Sequence, residues 1–404
     1  MRRPLRATCA VTVLTLTACG GGASSTSSAT PTATATASPP PSASATTSST
    51  PASTAVPPAT PTATAAPCAL PAQSPPSGTI PANFATALAF APDGRLFYAE
   101  RAGTVRVWQN GAARTFATVS TVTTESGGGY SERGLLGLAI SRSFATDHFG
   151  FGFYSDSDYS HQRVIRWTDC AGSATNPATI ITFPSGNDCC HKGGRLAIGT
   201  DGKLYVTLGE EHTAAAAQNT SDVRGKVLRY NLDGSVPADN PFGGQNPVWA
   251  YGLRNPFGMA ISPSGQMALT NNGPSGDAGS PSTGYDTAIV SVARGAGYQW
   301  PLCYGYSHLN SGAGSCGSGE IGPDWSSENS TVIPTGVAFV DSAGPAGLAG
   351  HIVFCTYGSG MLVLTPGSPH ASVSGGASTC RLDVAQGPDH AVYYSDSGHI
   401  YRQG

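Results

Sequence analysis

The stretch LAIGTDGKLYVTLGE, Leu196 to Glu210, contains two apolar runs separated by a Thr-Asp-Gly sequence. Asp and Gly favour turns, whereas Leu, Tyr and Val are frequent in strands, so the stretch predicts two strands joined by a tight turn. The same pattern recurs along the chain. Its other copies are LAFAPDGRLFYAE from Leu88, LAISRSFATDHFGFGFY from Leu138, MAISPSGQMALTNNG from Met259, VAFVDSAGPAGLAGHIVFCT from Val337 and VAQGPDHAVYYSD from Val384.

Several of these six copies are followed by a second strand-like pair, as in GTVRVWQNG from Gly103, GKVLRYNLDG from Gly225 and GHIYRQG from Gly398. Four strands per unit, repeated six times, predict an all-β fold: a six-bladed β-propeller with four-stranded antiparallel blades. A β-sandwich is the alternative, but it does not explain six copies with matching turns.

The predicted propeller occupies residues 68–404, and two different segments precede it. Residues 1–19 contain three arginines, an apolar run and Leu16-Thr17-Ala18-Cys19, which predicts a signal peptide. The small residues before Cys19 resemble a bacterial lipobox, so Cys19 is expected to carry lipid; an ordinary signal peptide is the alternative. Residues 20–67 are almost wholly Ser, Thr, Ala, Pro and Gly, which predicts a disordered tether.

This layout predicts an extracytoplasmic domain that is anchored to a bacterial membrane through lipid only, at the cell surface or in the periplasm. The formal net charge of −3 gives no indication of nucleic-acid binding. Without Cys9 and Cys19, eight of the ten cysteines remain, and an even number in an oxidising compartment suggests disulfides. Closeness in sequence favours Cys303–Cys316 and Cys355–Cys380. Adjacent Cys189 and Cys190 pair either with distant cysteines or with each other.

The repeat also predicts where a site lies. Pseudo-symmetry places the loops that precede the six first strands on one face, around the mouth of the central channel. Charged residues are scarce in the chain, yet these loops concentrate polar and charged side chains, which predicts a site there. They are Glu132, Arg133, His191, Lys192, Arg195, Arg254, Asn255, Arg381 and Asp383.

Four motifs follow one another in order: SERGLLGLAI (131–140), HKGGRLAIGTDGKLYVTLGE (191–210), RGKVLRYNLDGSVPADNPF (224–242) and YGLRNPFGMAISP (251–263). Together they closely resemble the glucose/sorbosone dehydrogenase family, the soluble quinoprotein sugar dehydrogenases. The resemblance runs from about Phe84 to the C-terminus. It implies a six-bladed propeller that holds pyrroloquinoline quinone (PQQ) and Ca²⁺ over the channel mouth and oxidises a sugar, an aldose or related polyol. No CxxCH haem-attachment motif occurs, so an external electron acceptor is expected.

The resemblance also implies roles for individual residues. His191 matches the general base that takes the hydroxyl proton while hydride leaves the same carbon. Arg254 matches the cation that stabilises the reduced quinone, and Asn255 beside it is expected to hydrogen-bond the cofactor. His212, after the LGEE run, is a further candidate near the pocket. Other cofactor contacts are expected from Lys192, Arg133, Glu132 and Arg381.

The calcium assignment rests on a second match. The run TNNGPSGD, Thr270 to Asp277, resembles a family segment whose Gly and Pro carbonyls bind the ion, which implies Gly273 and Pro274 as ligands. Asp286 in GYDTAIVSV matches a further acidic position of the family, which implies it as a third metal-site residue. The family's next residue is Glu, but Thr287 follows here.

Two departures from the family favour other functions. PQQ carries three carboxylates, but the family's arginine–any–arginine–Asp run reads Cys380-Arg381-Leu382-Asp383 here, and Glu132 stands where the family has glutamine. One alternative is therefore a propeller that binds carbohydrate or protein without redox chemistry. A calcium-dependent lactonase is another, because six-bladed propellers also host such hydrolases.

Overall fold

The computed structural model describes Cys68, residues 70–186 and residues 188–404. In this part the chain forms a six-bladed β-propeller of four-stranded antiparallel sheets, which confirms the predicted fold. The predicted signal peptide (1–19), its lipidation site Cys19 and the predicted tether (20–67) lie outside the described residues. No described helix has the length and apolar character needed to cross a membrane.

Each of the first three blades is built from four consecutive strands. They are β2 (Ala85–Phe90), β3 (Leu96–Glu100), β4 (Thr104–Gln109) and β5 (Ala112–Thr118); β6 (Leu135–Ile140), β7 (Phe149–Ser155), β8 (His161–Cys170) and β9 (Ser173–Pro184); and β10 (Gly193–Ile198), β11 (Leu204–Leu208), β12 (Lys226–Tyr230) and β13 (Val248–Tyr251). A single turn of helix, α1 (Phe144–Asp147), and a 3₁₀ turn at Ala214–Gln218 interrupt them.

The last three blades carry more irregular connections. Their strands are β14 (Asn255–Ile261), β15 (Met267–Asn272), β16 (Thr287–Ile289) and β19 (Trp325–Ser326); β20 (Pro334–Phe339), β21 (Ile352–Thr356), β22 (Gly360–Thr365) and β23 (Ser372–Gly375); and β24 (Val384–Gln386), β25 (Val392–Ser395) and β26 (His399–Gln403). A small hairpin, β17 (Cys303–Tyr304) and β18 (His308–Leu309), and a 3₁₀ turn at Asp277–Gly279 lie within the fourth blade's connections.

The sixth blade is completed from the other end of the sequence. Strand β1 (Ile80–Pro81) pairs antiparallel with β26, with Ile80 opposite Ile400. The sheet therefore joins the N-terminal and C-terminal parts of the propeller and closes the ring. The sequence pattern did not identify β1, because two residues show no periodicity.

Each of the six repeated copies begins in the first strand of a blade, and these six strands pack against one another around the axis. At Gly137 in β6, an added Cβ would lie 2.1 Å from the carbonyl oxygen of Gly194 in β10, so only glycine permits this approach. Apolar residues such as Phe153, Leu196 and Val206 form a core between the second and third blades. The blades are thus held by apolar contact between neighbouring sheets.

Arg195 in β10 links the blades across the axis. Its Nε donates to the carbonyl of Phe257 at 2.7 Å, its Nη2 donates to Leu382 at 3.0 Å, and its Nη1 donates to Thr86. These carbonyls belong to the fourth, sixth and first blades. One guanidinium therefore satisfies backbone acceptors from three blades other than its own.

The charge of Arg195 is partnered by Asp383, whose Oδ2 lies 3.4 Å from Nη1. The same carboxylate accepts the backbone N–H of Leu88 at 2.8 Å. Burial lowers the pKa of Arg195, and it raises the pKa of Asp383 although Arg195 opposes that shift. The pair is therefore a buried ion pair at the axis of the propeller.

Four disulfides occur in the described residues. Cys303–Cys316 and Cys355–Cys380 confirm the two pairings expected from sequence, and Cys68–Cys170 ties the segment before β1 to the second blade. Cys189 and Cys190 are bonded to each other, so the vicinal alternative is the one the structure contains.

The axial pair generates a stability prediction. Arg195→Met should lower the free energy of unfolding by about 3–5 kcal/mol, because it leaves Asp383 buried without its cation and several carbonyls without a donor. Denaturant unfolding of the folded domain measures this effect. Arg142→Met is the matched control: Arg142 is exposed and donates to one carbonyl, so a change below about 1 kcal/mol is expected. Equal losses in the two variants would contradict the role of Arg195.

Candidate functional site

A cavity of about 400 Å³ lies where the loops of five blades converge. This upper cavity is lined mainly by apolar and aromatic side chains. Its lining residues are Phe84, Thr86, Arg101, Tyr130, Ser131, Glu132, Leu136, Phe257, Asn272, Ile333, Thr335, Tyr357 and Leu382. A concave apolar site of this size, with a few polar groups, is typical of small-molecule binding sites.

Arg195 is hydrogen-bonded to the backbone of residues that line the upper cavity. Its carbonyl partners Thr86, Phe257 and Leu382 all line that cavity. Arg195 and Asp383 themselves line a second cavity of about 290 Å³ that is bounded by the six first strands. The buried ion pair therefore belongs to the second cavity and is connected to the upper cavity through the hydrogen bonds of Arg195.

His191 and Glu210 form a hydrogen-bonded pair beside the channel mouth. The Nδ1 atom of His191 lies 2.5 Å from Oε1 of Glu210, and both side chains are buried. His191 precedes β10 and Glu210 follows β11, so antiparallel pairing of these strands brings the two residues together. A Cβ on Gly209 would lie 2.0 Å from the carbonyl oxygen of His191, so glycine is required there.

Sequence reasoning missed Glu210. The signal that could have found it is the register of the β10–β11 hairpin, since the residue after the second strand must lie beside the residue before the first. His212, the further candidate, packs on His191 with 4.0 Å between ring centroids, and its Nδ1 lies 2.7 Å from the Asp188 carboxylate.

Arg254 is held rigidly next to this pair. Its Nε and Nη2 donate to the two carboxylate oxygens of Asp277 at 2.9 and 2.8 Å, and its Nη1 donates to the Gly273 carbonyl at 2.5 Å. The guanidinium also lies over the Trp300 ring. Burial alone would raise the pKa of Asp277, but the hydrogen bonds and positive charge of Arg254 outweigh burial and hold that pKa at about 2.

Glu132 and Asn255 connect the upper cavity to the loop of His191. The Nδ2 of Asn255 donates to Oε2 of Glu132 at 3.1 Å, and Oδ1 of Asn255 accepts the N–H of Gly193 at 3.1 Å. The backbone N–H of Lys192 lies 3.4 Å from the same Glu132 oxygen. Glu132 therefore stands in the cavity wall one hydrogen bond away from the residue that follows His191.

The other predicted cofactor-binding cations point to different partners. Lys192 forms a buried ion pair with Glu211 at 2.9 Å; burial lowers its pKa, and the charge of Glu211 opposes that shift. Arg133 donates to the carbonyl of Gly186, and Arg381 donates to the carbonyl of Tyr357. The cation in the lining of the upper cavity is instead Arg101, which the sequence did not single out.

Asp286 acts on the backbone around the predicted calcium segment. Its carboxylate accepts the N–H of Gly273 at 2.8 Å, of Val332 at 2.8 Å and of Ile333 at 2.9 Å. Burial raises its pKa, and these three hydrogen bonds oppose the shift. Asp286 thus fixes the Gly273–Pro274 segment against the loop before β20.

Comparison with known proteins matches this chain to one family. The Glucose / Sorbosone dehydrogenase family model matches residues 82–402, so the chain belongs to that family. Quinoprotein glucose dehydrogenase B of Acinetobacter calcoaceticus is 30% identical over 255 residues, which cover 54% of this chain and 50% of that protein. Aldose sugar dehydrogenase YliI of Escherichia coli (strain K12) is 31% identical over 228 residues, covering 54% and 58%.

The chain spans about half the length of these two relatives in the matched regions. The structural likeness extends further. The crystal structure of the soluble aldose sugar dehydrogenase from Escherichia coli in its apo form superimposes with a TM-score of 0.64 at 26% identity, covering 79% of this chain and 95% of that chain. The six-bladed architecture is thus shared with a sugar dehydrogenase.

The Arg254–Asp277 pair generates a pH prediction. Because Asp277 has a pKa of about 2 in the folded chain, against an ordinary value of 3.8, its contribution to stability is complete above about pH 4. That contribution is lost as the pH falls towards 2. Asp277→Asn should therefore be less stable than the wild type at pH 6, and the difference should shrink on acidification. Melting temperatures of both chains between pH 6 and pH 2 test this; a difference that grows towards pH 2 would contradict it.

Proposed function

We propose that the protein oxidises a CH–OH group of an aldose or related polyol, with PQQ and Ca²⁺ as cofactors. Family membership and the named activities of the two relatives support this class of reaction. The observation that supports the proposal for this chain is the buried His191–Glu210 pair. Neither residue lines the upper cavity, but the backbone N–H of Lys192, next to His191, lies 3.4 Å from Glu132 in the wall of that cavity.

The upper cavity fits the size and aromatic character of PQQ. Its lining contributes the rings of Phe84, Tyr130 and Phe257 and the guanidinium of Arg101. When bound, PQQ supplies a quinone that accepts two electrons as the hydride of the sugar carbon. The chain itself has no side chain with this chemistry, so its residues bind, orient and transfer protons.

His191 is proposed to accept the hydroxyl proton at Nε2. Its Nδ1 faces the Glu210 carboxylate, and a carboxylate accepts hydrogen bonds, so Nδ1 carries the proton and Nε2 keeps its lone pair. Glu210 is a positioning residue: it fixes the ring and stabilises the imidazolium that forms when the hydroxyl loses its proton. The reaction therefore needs an imidazole whose Nε2 is free to accept a proton and whose resulting positive charge is stabilised by Glu210.

Arg254 is proposed to place a fixed positive charge next to the quinone oxygen of bound PQQ, where negative charge would develop. The bidentate contact with Asp277 leaves its guanidinium one orientation. A charge held in place by the protein stabilises developing negative charge without reorganisation, which is where electrostatic catalysis is strongest. Asn255, which is hydrogen-bonded to Glu132 in the wall of the upper cavity, is proposed to hydrogen-bond the cofactor.

Ca²⁺ is proposed to bind at Asn272, Gly273 and Pro274. Asn272 lines the upper cavity, and its Oδ1 atom is buried with no hydrogen-bond partner among the described residues. A buried oxygen of this kind needs a hydrogen-bond donor or a cation as its partner. Carbonyl and amide oxygens suit Ca²⁺. The Gly273 carbonyl already accepts from Arg254, so the ion would share that oxygen.

The setting of the reaction is also part of the proposal. Four disulfides are typical of chains that fold outside the cytoplasm, which supports an extracytoplasmic location. We propose that Cys19 anchors the domain to the membrane through lipid and that an external acceptor removes the electrons.

One observation favours the second candidate, a propeller that binds carbohydrate or protein without redox chemistry. PQQ is anionic, but the upper cavity contains Glu132 and receives its positive charge from Arg101, while Arg381 contacts the Tyr357 carbonyl. A carboxylate next to an anionic ligand is unfavourable. Measured affinity for PQQ separates the two candidates.

The experiment combines cofactor binding with turnover. The purified chain should bind PQQ at micromolar concentration in the presence of Ca²⁺ and then reduce a dye with aldoses or polyols. His191→Asn should lower kcat by ~10²-fold or more, as expected for loss of a general base. Glu210→Gln should lower kcat by ~10-fold or more with little change in KM, because it disturbs the ring but not the cavity.

The control is His212→Gln, which removes the neighbouring imidazole but neither proposed role, and near-normal kcat is expected. No PQQ binding at micromolar concentration would overturn the dehydrogenase proposal and favour the non-redox candidate. Normal turnover in His191→Asn, with PQQ bound, would refute the base assignment alone.

A further inference from the structure

Three potential metal ligands from separate loops converge outside the lining of the upper cavity. The side chains of His191, Glu210 and Asp277 each offer one donor atom, and these atoms all lie within 4.8 Å of one another. His191 and Glu210 are almost completely buried, and Asp277 is half-buried. We refer to these three residues as the His–Glu–Asp cluster.

An independent observation indicates that the cluster can accept a ligand. Glu210 is completely buried, and its Oε2 atom has no hydrogen-bond partner among the described residues. Leaving a buried charged oxygen without a partner costs free energy, and a bound cation removes that cost. Oε1 of the same carboxylate is the atom that contacts His191.

We propose that the His–Glu–Asp cluster binds a divalent transition-metal ion of the Zn²⁺ class. One imidazole nitrogen with two carboxylate oxygens is a donor set found in zinc sites, whereas Ca²⁺ and Mg²⁺ prefer oxygen donors alone. Zinc–ligand bonds of about 2.0–2.2 Å require donor atoms roughly 3.4 Å apart in tetrahedral geometry. Donor atoms that lie up to 4.8 Å apart therefore need to approach one another by at most about 1.4 Å when the ion binds.

The charge balance favours a dication. Glu210 and Asp277 bring two negative charges, and Arg254, paired with Asp277, brings one positive charge. Asp277 can keep Arg254 and still bind a metal, because each carboxylate oxygen has two lone pairs. The cluster therefore carries a net negative charge before the ion binds.

A neighbouring group with similar residues does not fit as well. Asp188, Cys189 and His212 also lie within reach of one another. The sulfur of Cys189 is bonded to Cys190, however, and metal binding by cysteine requires a thiolate. This group therefore offers Asp188 and His212 alone, and these two already pair with each other.

Metal binding at the cluster has a consequence that rests on the proposed function. An ion on His191 and Glu210 occupies the groups that are proposed to accept and stabilise the substrate proton. The ion should therefore act as a reversible inhibitor that competes with proton transfer rather than with cofactor binding in the upper cavity. Zn²⁺ binding itself requires neither PQQ nor sugar.

The test measures binding first, in the absence of cofactor. The full chain, stripped of metal with a chelator, should bind one Zn²⁺ saturably in competition with a chromophoric chelator, and excess Ca²⁺ should not displace it. Glu210→Gln and Asp277→Asn should each weaken binding by ~10-fold or more. Both substitutions are isosteric. Melting curves identify which of the two variants folds normally, and the affinity for Zn²⁺ is measured on that variant.

The matched controls remove other imidazoles. His212→Gln disrupts the neighbouring Asp188 pair, and His308→Gln removes an exposed histidine paired with Glu328. Neither should change the affinity for Zn²⁺. The proposed site is wrong if the chain shows no saturable binding of Zn²⁺ or if Ca²⁺ displaces the bound ion. It is also wrong if folded Glu210→Gln or Asp277→Asn keeps the wild-type affinity, or if His212→Gln loses binding.

Inhibition is measured afterwards on chain reconstituted with PQQ and Ca²⁺. Zn²⁺ should lower turnover, and a chelator should restore it. If Zn²⁺ binds as described but the chain shows no turnover at all, the dehydrogenase proposal fails while the metal site stands. If turnover is present and saturating Zn²⁺ leaves it unchanged, the inhibitory role is wrong.

Discussion

The structure depends on how the axis of the propeller is filled. The six first strands converge there, and their carbonyl groups need donors where water has little access. Arg195 meets this need with one side chain, because a guanidinium carries five N–H donors in a fixed plane. Its bonds to Thr86, Phe257 and Leu382 join four blades, and Asp383 balances the charge. The same guanidinium also connects residues that line the upper cavity with the second cavity on the axis.

The chemistry of the site follows from the pairing of strands β10 and β11. In an antiparallel hairpin, the residue before the first strand and the residue after the second lie side by side. The β10–β11 hairpin thereby brings His191 to Glu210. The adjoining blade begins at Asn255, and the residue before it, Arg254, accepts the N–H of Glu210 through its carbonyl at 2.8 Å. The proposed base, its carboxylate partner and a fixed cation are thus placed by backbone geometry.

The sequence predicted the parts of the structure that repeat. Six copies of one hairpin pattern located the six first strands and the loops at the channel mouth, and sequence closeness located two disulfides. Features that occur once had no such signal: β1 is two residues long, and Cys68–Cys170 joins distant segments. The direction in which a side chain points could not be predicted from the sequence either. Lys192 and Arg133 lie in the predicted loops, but their partners, Glu211 and the Gly186 carbonyl, draw them away from the cavity.

The adjacent residues Cys189 and Cys190 connect the loop of His191 to the wall of the upper cavity. The carbonyl of Cys189 accepts the backbone N–H of Glu132 at 2.9 Å and the hydroxyl of Ser131 at 3.0 Å. Closing the Cys189–Cys190 ring restricts the backbone that carries this carbonyl, immediately before His191. Ser131 and Glu132 both line the upper cavity. The ring therefore ties the loop of the proposed base to the polar wall of the cavity, so the position of Glu132 and that of His191 are set by one short segment.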